Sequence, residues 1–282
     1  MVGGGGTIAV VTAATDDRPI GMFDSGFGGL TVARAAMDLL PAESLVYLGD
    51  TGRYPYGPRS LDEVRGFAHQ ICAELVFRRD VKAIVVACNT AAAAALASLR
   101  SSFDVPIIGV IEPGVRALVQ ATERGRIGVI GTVGTINSGA YQRELADEGE
   151  VMDLTALACP GFVEFVERGE TGSEQVHVLA QRLLAPAVEA GIDALLLGCT
   201  HYPYLARTIA DVMGRDVVLV SSADETAFEL RSLIESHAVA ACGDNGARTT
   251  IFLTTGDVEW FTDLGGRLLG PELADAEAVR LV

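Results

Sequence analysis

Lys82-Ala83-Ile84-Val85-Val86-Ala87-Cys88 and Asp193-Ala194-Leu195-Leu196-Leu197-Gly198-Cys199 follow one pattern: a charged residue, an apolar run, and a cysteine where the run stops. A short apolar run without alternation reads as a strand buried on both faces, as in a parallel sheet. Working outward from 83–87 and 194–197, similar runs occupy 19–23, 45–48, 107–110, 127–130, 217–220 and 250–252. Amphipathic segments lie between them, among them 61–78 and 173–190. Strand then helix, repeated, predicts right-handed βαβ units, with ligands held beyond the carboxyl ends of the strands.

The chain also repeats itself weakly. Ile20-Gly21-Met22-Phe23 leads into Asp24-Ser25-Gly26, and Ile127-Gly128-Val129-Ile130 leads into Gly131-Thr132-Val133-Gly134. Asp24 precedes Cys88 by 64 residues, and Thr132 precedes Cys199 by 67. Each half therefore offers a glycine-rich loop bearing hydroxyls and a cysteine at a strand end. The expected fold is α/β: two similar parallel-sheet domains in pseudo-symmetric arrangement, facing a central cleft. Residues 18–111 plus 221–282 are expected to form the first domain and 112–220 the second. Residues 1–17, with the run Gly3-Gly4-Gly5-Gly6, read as a flexible leader.

The bulk composition narrows the possible functions. A net charge of −16 over 282 residues disfavours direct binding to a phosphate backbone. No apolar stretch reaches the roughly 18 residues that a membrane span needs. Five cysteines, widely spaced and without a Cys-x-x-Cys pair, point to free thiols in a reducing, cytoplasmic setting.

The two cysteines carry the chemistry. Cys88 precedes the alanine-rich helix pattern that begins at Ala91. Helix amides and the helix dipole are expected to lower its thiol pKa from the usual value of about 8.5. Cys199 is followed, two residues on, by His201, a proton-relay candidate. Asp24 heads the loop Asp24-Ser25-Gly26-Phe27-Gly28-Gly29, whose amides suit a carboxylate. Inverting a stereocentre needs a base on one face of a carbon and an acid on the other, and two thiols from facing domains supply that. A pyridoxal mechanism would need a Schiff-base lysine. The single lysine, Lys82, precedes a strand at the end opposite Cys88, so no cofactor is expected. No metal site is expected either, because Cys88, Cys199 and His201 lack an evident fourth ligand.

At this point the residues match a known family. Phe23-Asp24-Ser25-Gly26-Phe27-Gly28-Gly29, Asp50-Thr51-Gly52-Arg53-Tyr54-Pro55-Tyr56-Gly57, Ala87-Cys88-Asn89-Thr90-Ala91, Gly131-Thr132-Val133-Gly134-Thr135 and Gly198-Cys199-Thr200-His201-Tyr202-Pro203 occur in order. Over about 18–270 the chain resembles the bacterial glutamate racemases. The resemblance implies cofactor-free interconversion of L- and D-glutamate for peptidoglycan synthesis. It implies that Cys88 acts on the D-enantiomer and Cys199 on the L-enantiomer, with Asp24 and His201 as their partners. It also places an assisting carboxylate at Glu167, in a segment where Gly161 and Glu164 depart from the family's leucine and proline. Substrate contacts would fall on Asp24, Ser25, Tyr56, Gly57, Asn89, Thr90, Thr132, Thr135, Thr200 and His201. A homodimer is implied. Some members bind and inhibit DNA gyrase, a contact that residues 1–17 could serve. The rival substrates on this fold are aspartate, a hydantoin or another small acid.

Overall fold

The computed structural model describes residues 15–149, 151–243 and 248–281. Its strands are β1 (Ile20–Asp24), β2 (Leu45–Gly49), β3 (Ala83–Val86), β4 (Ile107–Gly109), β5 (Arg126–Gly131), β6 (Asp153–Ala158), β7 (Ala194–Gly198), β8 (Val218–Ser221), β9 (Thr250–Thr254) and β10 (Glu277–Ala278). They form two sheets, ordered β10-β9-β2-β1-β3-β4 and β6-β5-β7-β8. Every neighbouring pair is parallel. The order β2-β1-β3-β4 in the first sheet is repeated by β6-β5-β7-β8 in the second. In each, the first strand lies between the next two, so the chain leaves its carboxyl end in opposite directions and opens a crevice.

Burial explains why these runs pair. Every residue of β1, β2, β3 and β7 is buried, which suits strands covered on both faces by helices. Phe23 pairs with Val86, so Ser25 and Cys88 emerge from the edge two residues later, side by side. Gly131 pairs with Gly198, so Thr132 and Cys199 emerge together in the second sheet.

The helices are α1 (Leu30–Leu39), α2 (Leu61–Arg79), α3 (Asn89–Ser102), α4 (Ile111–Ala121), α5 (Val133–Asn137), α6 (Ala140–Asp147), α7 (Phe162–Glu167), α8 (Glu174–Ala190), α9 (Ala206–Met213), α10 (Ser222–Glu235) and α11 (Val258–Leu269). Local chemistry sets their ends. Ser60 accepts from the Glu63 amide and starts α2, and Ser173 does the same for α8 through the Val176 amide. Gly191, at φ +61°, ends α8 in the left-handed region. Helices α4 and α10 carry the chain between the sheets: α4 packs on β7 and β8, while α10 packs on both α1 and α4.

Two strands were not expected from the sequence. β6 is an edge strand of Asp-Leu-Thr-Ala-Leu-Ala, mostly half-buried, without the unbroken apolar run that marked the others. β10 has only two residues, both exposed. The tail returns to the first sheet through β9, which pairs with β2. Of the expected leader, residues 1–14 lie outside the described residues. Asp16 and Asp17 are bound into the fold: the Asp16 amide donates to the Ala241 carbonyl (2.9 Å) and the Gly243 amide to Asp17 Oδ1 (2.8 Å). Among the described residues no helix is long and apolar enough to cross a membrane.

Candidate active site

A cavity of about 160 Å³ opens at the carboxyl ends of both sheets. A cavity of roughly 150 Å³ accepts a molecule the size of benzene, so this one suits a small ligand. Cys88, Asp24, Ser25, Asn89 and Thr90 reach it from the first sheet, and Thr132, Cys199, Thr200 and His201 from the second. Both sulfurs thus face one space. No Arg or Lys stands among the described lining residues, so polar recognition falls to hydroxyls, amides and His201.

On the first sheet's side, Cys88 caps the start of α3 in extended conformation. The amides of Ala91 and Ser25 and the Ser25 hydroxyl favour the thiolate. These contacts act in the direction expected from the sequence, but they do not win. Burial is the stronger influence and, helped by the charge of Asp24, pushes the thiol well above its ordinary pKa. The expected lowering is therefore corrected: the helix start is present, but the site is too dry for it to dominate. Asp24 is 1% exposed, and burial raises its pKa too, opposed by the charge of His201, the amides of Gly26 and Gly29, and the Cys88 thiol.

On the second sheet's side, His201 Nδ1 is 3.9 Å from Cys199 Sγ, and His201 Nε2 is 3.3 Å from Glu167 Oε1. Burial works against protonation of this imidazole and is the largest single influence. The contacts with Cys199 and Glu167 and the charge of Asp24 together outweigh it, raising the pKa to about 10. Cys199, His201 and Glu167 thus form a chain of proton-carrying groups leading away from the cavity.

The two sides interlock. Thr31 Oγ1 donates to the Thr200 carbonyl (3.1 Å), and Thr200 Oγ1 to Asp24 Oδ2 (3.5 Å). The Gly134 amide donates to the Gly57 carbonyl (3.0 Å). The hydroxyls of Thr90, Thr132 and Thr135 bond one another at 2.9–3.1 Å, joining the start of α3 to the start of α5.

The expected site residues therefore fall into groups. Asp24, Ser25, Tyr56, Gly57, Cys88, Asn89, Thr90, Thr132, Cys199, Thr200 and His201 line the cavity. Thr135 does not: it is fully buried, with its hydroxyl spent on Thr90 and Thr132. Glu167 also lies outside the wall and reaches the site through His201. Tyr56 lines the cavity but directs its hydroxyl to buried Asp50, which Arg53 and Thr255 also hold. Asn89 donates to Tyr141 (2.9 Å), and its Oδ1 is buried without a partner.

Sequence reasoning missed several wall residues, three of which are Tyr54, Cys159 and Glu164. Tyr54 follows β2, while Cys159 and Glu164 follow β6. With β6 overlooked, only the family resemblance pointed to the loop beyond it, and neither Cys159 nor Glu164 was read as cavity wall. Among the described residues, no cluster of three or more His, Cys, Asp or Glu is arranged to hold a metal ion.

Residues 30–229 match the sequence profile of the family described as Asp/Glu/Hydantoin racemase. A glutamate racemase of Mycobacterium ulcerans is 51% identical over 93% of this chain and 96% of its own. The solved glutamate racemase of Bacillus anthracis superposes with a TM-score of 0.86 at 41% identity, covering 94% of this chain and 97% of that one. That of Francisella tularensis, solved in complex with D-glutamate, gives 0.84 at 32% identity over 94% and 97%. Sheet order, cavity and sequence agree: this chain belongs to the Asp/Glu/Hydantoin racemase family and is an amino-acid racemase.

Proposed function

We propose that this chain interconverts L- and D-glutamate by proton transfer between two cysteines, without a cofactor, and so supplies D-glutamate for peptidoglycan. The observation that carries the reading is that Cys88 and Cys199 line one cavity from opposite sheets.

In the L-to-D direction the Cys199 sulfur takes the α-proton. The electron pair of the broken C–H bond stays on the α-carbon and spreads into the adjacent carboxylate. The Cys88 S–H then gives its proton to the other face. Cys88 suits the donor role, because burial keeps its proton on sulfur. In the D-to-L direction the roles exchange. Asp24 partners Cys88, and His201, backed by Glu167, partners Cys199. The unpartnered Asn89 Oδ1 is an acceptor for the substrate ammonium. Ser25, Thr90 and Thr132 offer hydroxyls to its carboxylates, with the start of α3 adding amides.

The test follows optical rotation of purified protein with D- or L-glutamate, and separately with aspartate and a hydantoin, with no cofactor added. In D₂O, deuterium should enter the α-position of glutamate at least as fast as rotation is lost. Cys88→Ala and Cys199→Ala should each abolish racemisation. Wild-type rates in both variants rule out the mechanism, and turnover of aspartate or the hydantoin but not glutamate replaces the substrate.

A further inference from the structure

Some residues of the cavity wall are also exposed to solvent, and so stand at its mouth: Pro55, Pro58, Val133, Pro160 and Glu164. Pro55 and Pro58 belong to the loop between β2 and α2, Val133 opens α5, Pro160 follows β6, and Glu164 lies in the first turn of α7. Both halves of the molecule therefore build the mouth, from prolines, a valine and a carboxylate. No Arg or Lys stands among the described lining residues to offset that carboxylate. The cation nearest to it in sequence, Arg168, is committed elsewhere: it lies over the Phe165 ring and pairs with Glu170 (3.1 Å). The charge of Glu164 is felt by the wall. Burial is the main reason the Tyr54 and Tyr202 phenols hold their protons, and Glu164 is among the charges that add to it in both.

A small ligand must enter past this carboxylate. Glutamate carries two carboxylates and an ammonium, for a net charge of minus one. Glutarate, which lacks the ammonium, carries minus two. The two are close in size, so the cavity volume does not separate them, and the hydroxyls of the wall serve the carboxylates of either. Charge at the mouth does separate them. An exposed charge acting across such a mouth in physiological salt is worth roughly two- to threefold in affinity for each unit of ligand charge. For a dianion that factor is squared.

We propose that Glu164 is a specificity-determining residue: its carboxylate at the mouth disfavours dianions and so selects dicarboxylates that also carry an ammonium. The part that concerns glutamate rests on the function proposed above; the charge at the mouth does not.

The experiment compares the full chain with Glu164→Gln. The control is Glu189→Gln, which removes an exposed carboxylate near the end of α8, shortly before β7 enters its sheet at the end opposite the cavity. Alkylation of the cavity thiols Cys88, Cys159 and Cys199 reads the charge without turnover. The sulfur displaces iodide from neutral iodoacetamide or anionic iodoacetate, and mass spectrometry of each peptide gives the two rates. The ratio of iodoacetate to iodoacetamide rates should rise about two- to threefold in Glu164→Gln and stay unchanged in Glu189→Gln. The rise should vanish in about 1 M salt, where the screening length falls to about 3 Å. In glutamate racemisation, Glu164→Gln should lower the inhibition constant of glutarate about five- to tenfold, and KM for glutamate only about two- to threefold. An unchanged alkylation ratio, or thiols that resist both reagents, overturns the proposal whatever the activity. A rise in KM with no gain for glutarate shows that Glu164 binds the ammonium instead, and overturns it also. A raised ratio in a protein that does not racemise glutamate supports the charge at the mouth and refutes the functional reading alone.

Discussion

Gly28 stands so close to His201 that a Cβ on it would lie 2.4 Å from Nδ1 of the imidazole. The same atom would lie 2.5 Å from Thr200 Oγ1. The loop after β1 and the loop after β7 therefore meet with no room for a methyl group, and the fit between the halves depends on a missing side chain.

Gly28→Ala should accordingly push His201 and Thr200 out of place. Overpacking of this kind costs about 1–3 kcal/mol of stability. Displacement of a catalytic group by about an ångström costs on the order of 100-fold in rate. Denaturant unfolding and steady-state kinetics on one preparation would test both. Gly66, where an added Cβ meets nothing, is the control: Gly66→Ala should leave activity intact.

His201 also makes the stability depend on pH. Its folded pKa, about 10, lies above the ordinary histidine value of 6.5. A raised cation pKa gives stability that is full below the unfolded value and is lost as pH rises through the folded one. The melting temperature should therefore decline between about pH 7 and pH 10 more steeply than in His201→Gln, which cannot titrate. Parallel declines in the two proteins would show that His201 is not held protonated by Cys199 and Glu167.

Tyr56 separates lining a cavity from bonding a ligand. It is 1% exposed, and its hydroxyl is directed to Asp50 rather than into the cavity. Removing that hydroxyl should cost stability, about 1–2 kcal/mol, because buried Asp50 loses a donor. KM for glutamate should move by less than about twofold. A large rise in KM with unchanged stability in Tyr56→Phe would return the hydroxyl to the substrate.

What could be read from the sequence follows the strength of the local signal. Ala83–Val86 and Ala194–Gly198 are fully buried, and burial on both faces leaves an apolar run that can be seen without a structure. The cysteines that end those runs were visible for the same reason. β6 is half-buried at an edge, so selection for apolarity is weak, and Cys159 beyond it went unrecognised as cavity wall. The fate of individual hydroxyls was not legible at all. Thr132 and Thr135 sit three residues apart at the start of one short helix, yet one faces the cavity and the other is buried behind it. The Cys88 pKa failed for a related reason: a helix start can be read from sequence, whereas the dryness that opposes it depends on everything packed around the site.

Lys82 offers the last prediction, because a lysine in a racemase invites a cofactor role. It is 4% exposed and lies at the amino end of β3, away from the cavity. Its ammonium meets Glu43 at 2.6 Å and donates to the carbonyls of Asp16 and Ala240, both at 2.8 Å. Glu43 also accepts from the Cys242 amide. The pair thus ties Asp16, shortly before β1, and the segment before β9 to the base of the first sheet. Removing one partner strands the other charge, so Lys82→Met should cost about 3–5 kcal/mol, and adding Glu43→Leu should restore much of it. Because the site lies at the other end of the strands, kcat of the folded protein should stay near wild type in the double variant. Loss of activity with no loss of stability would instead place the ammonium in the chemistry.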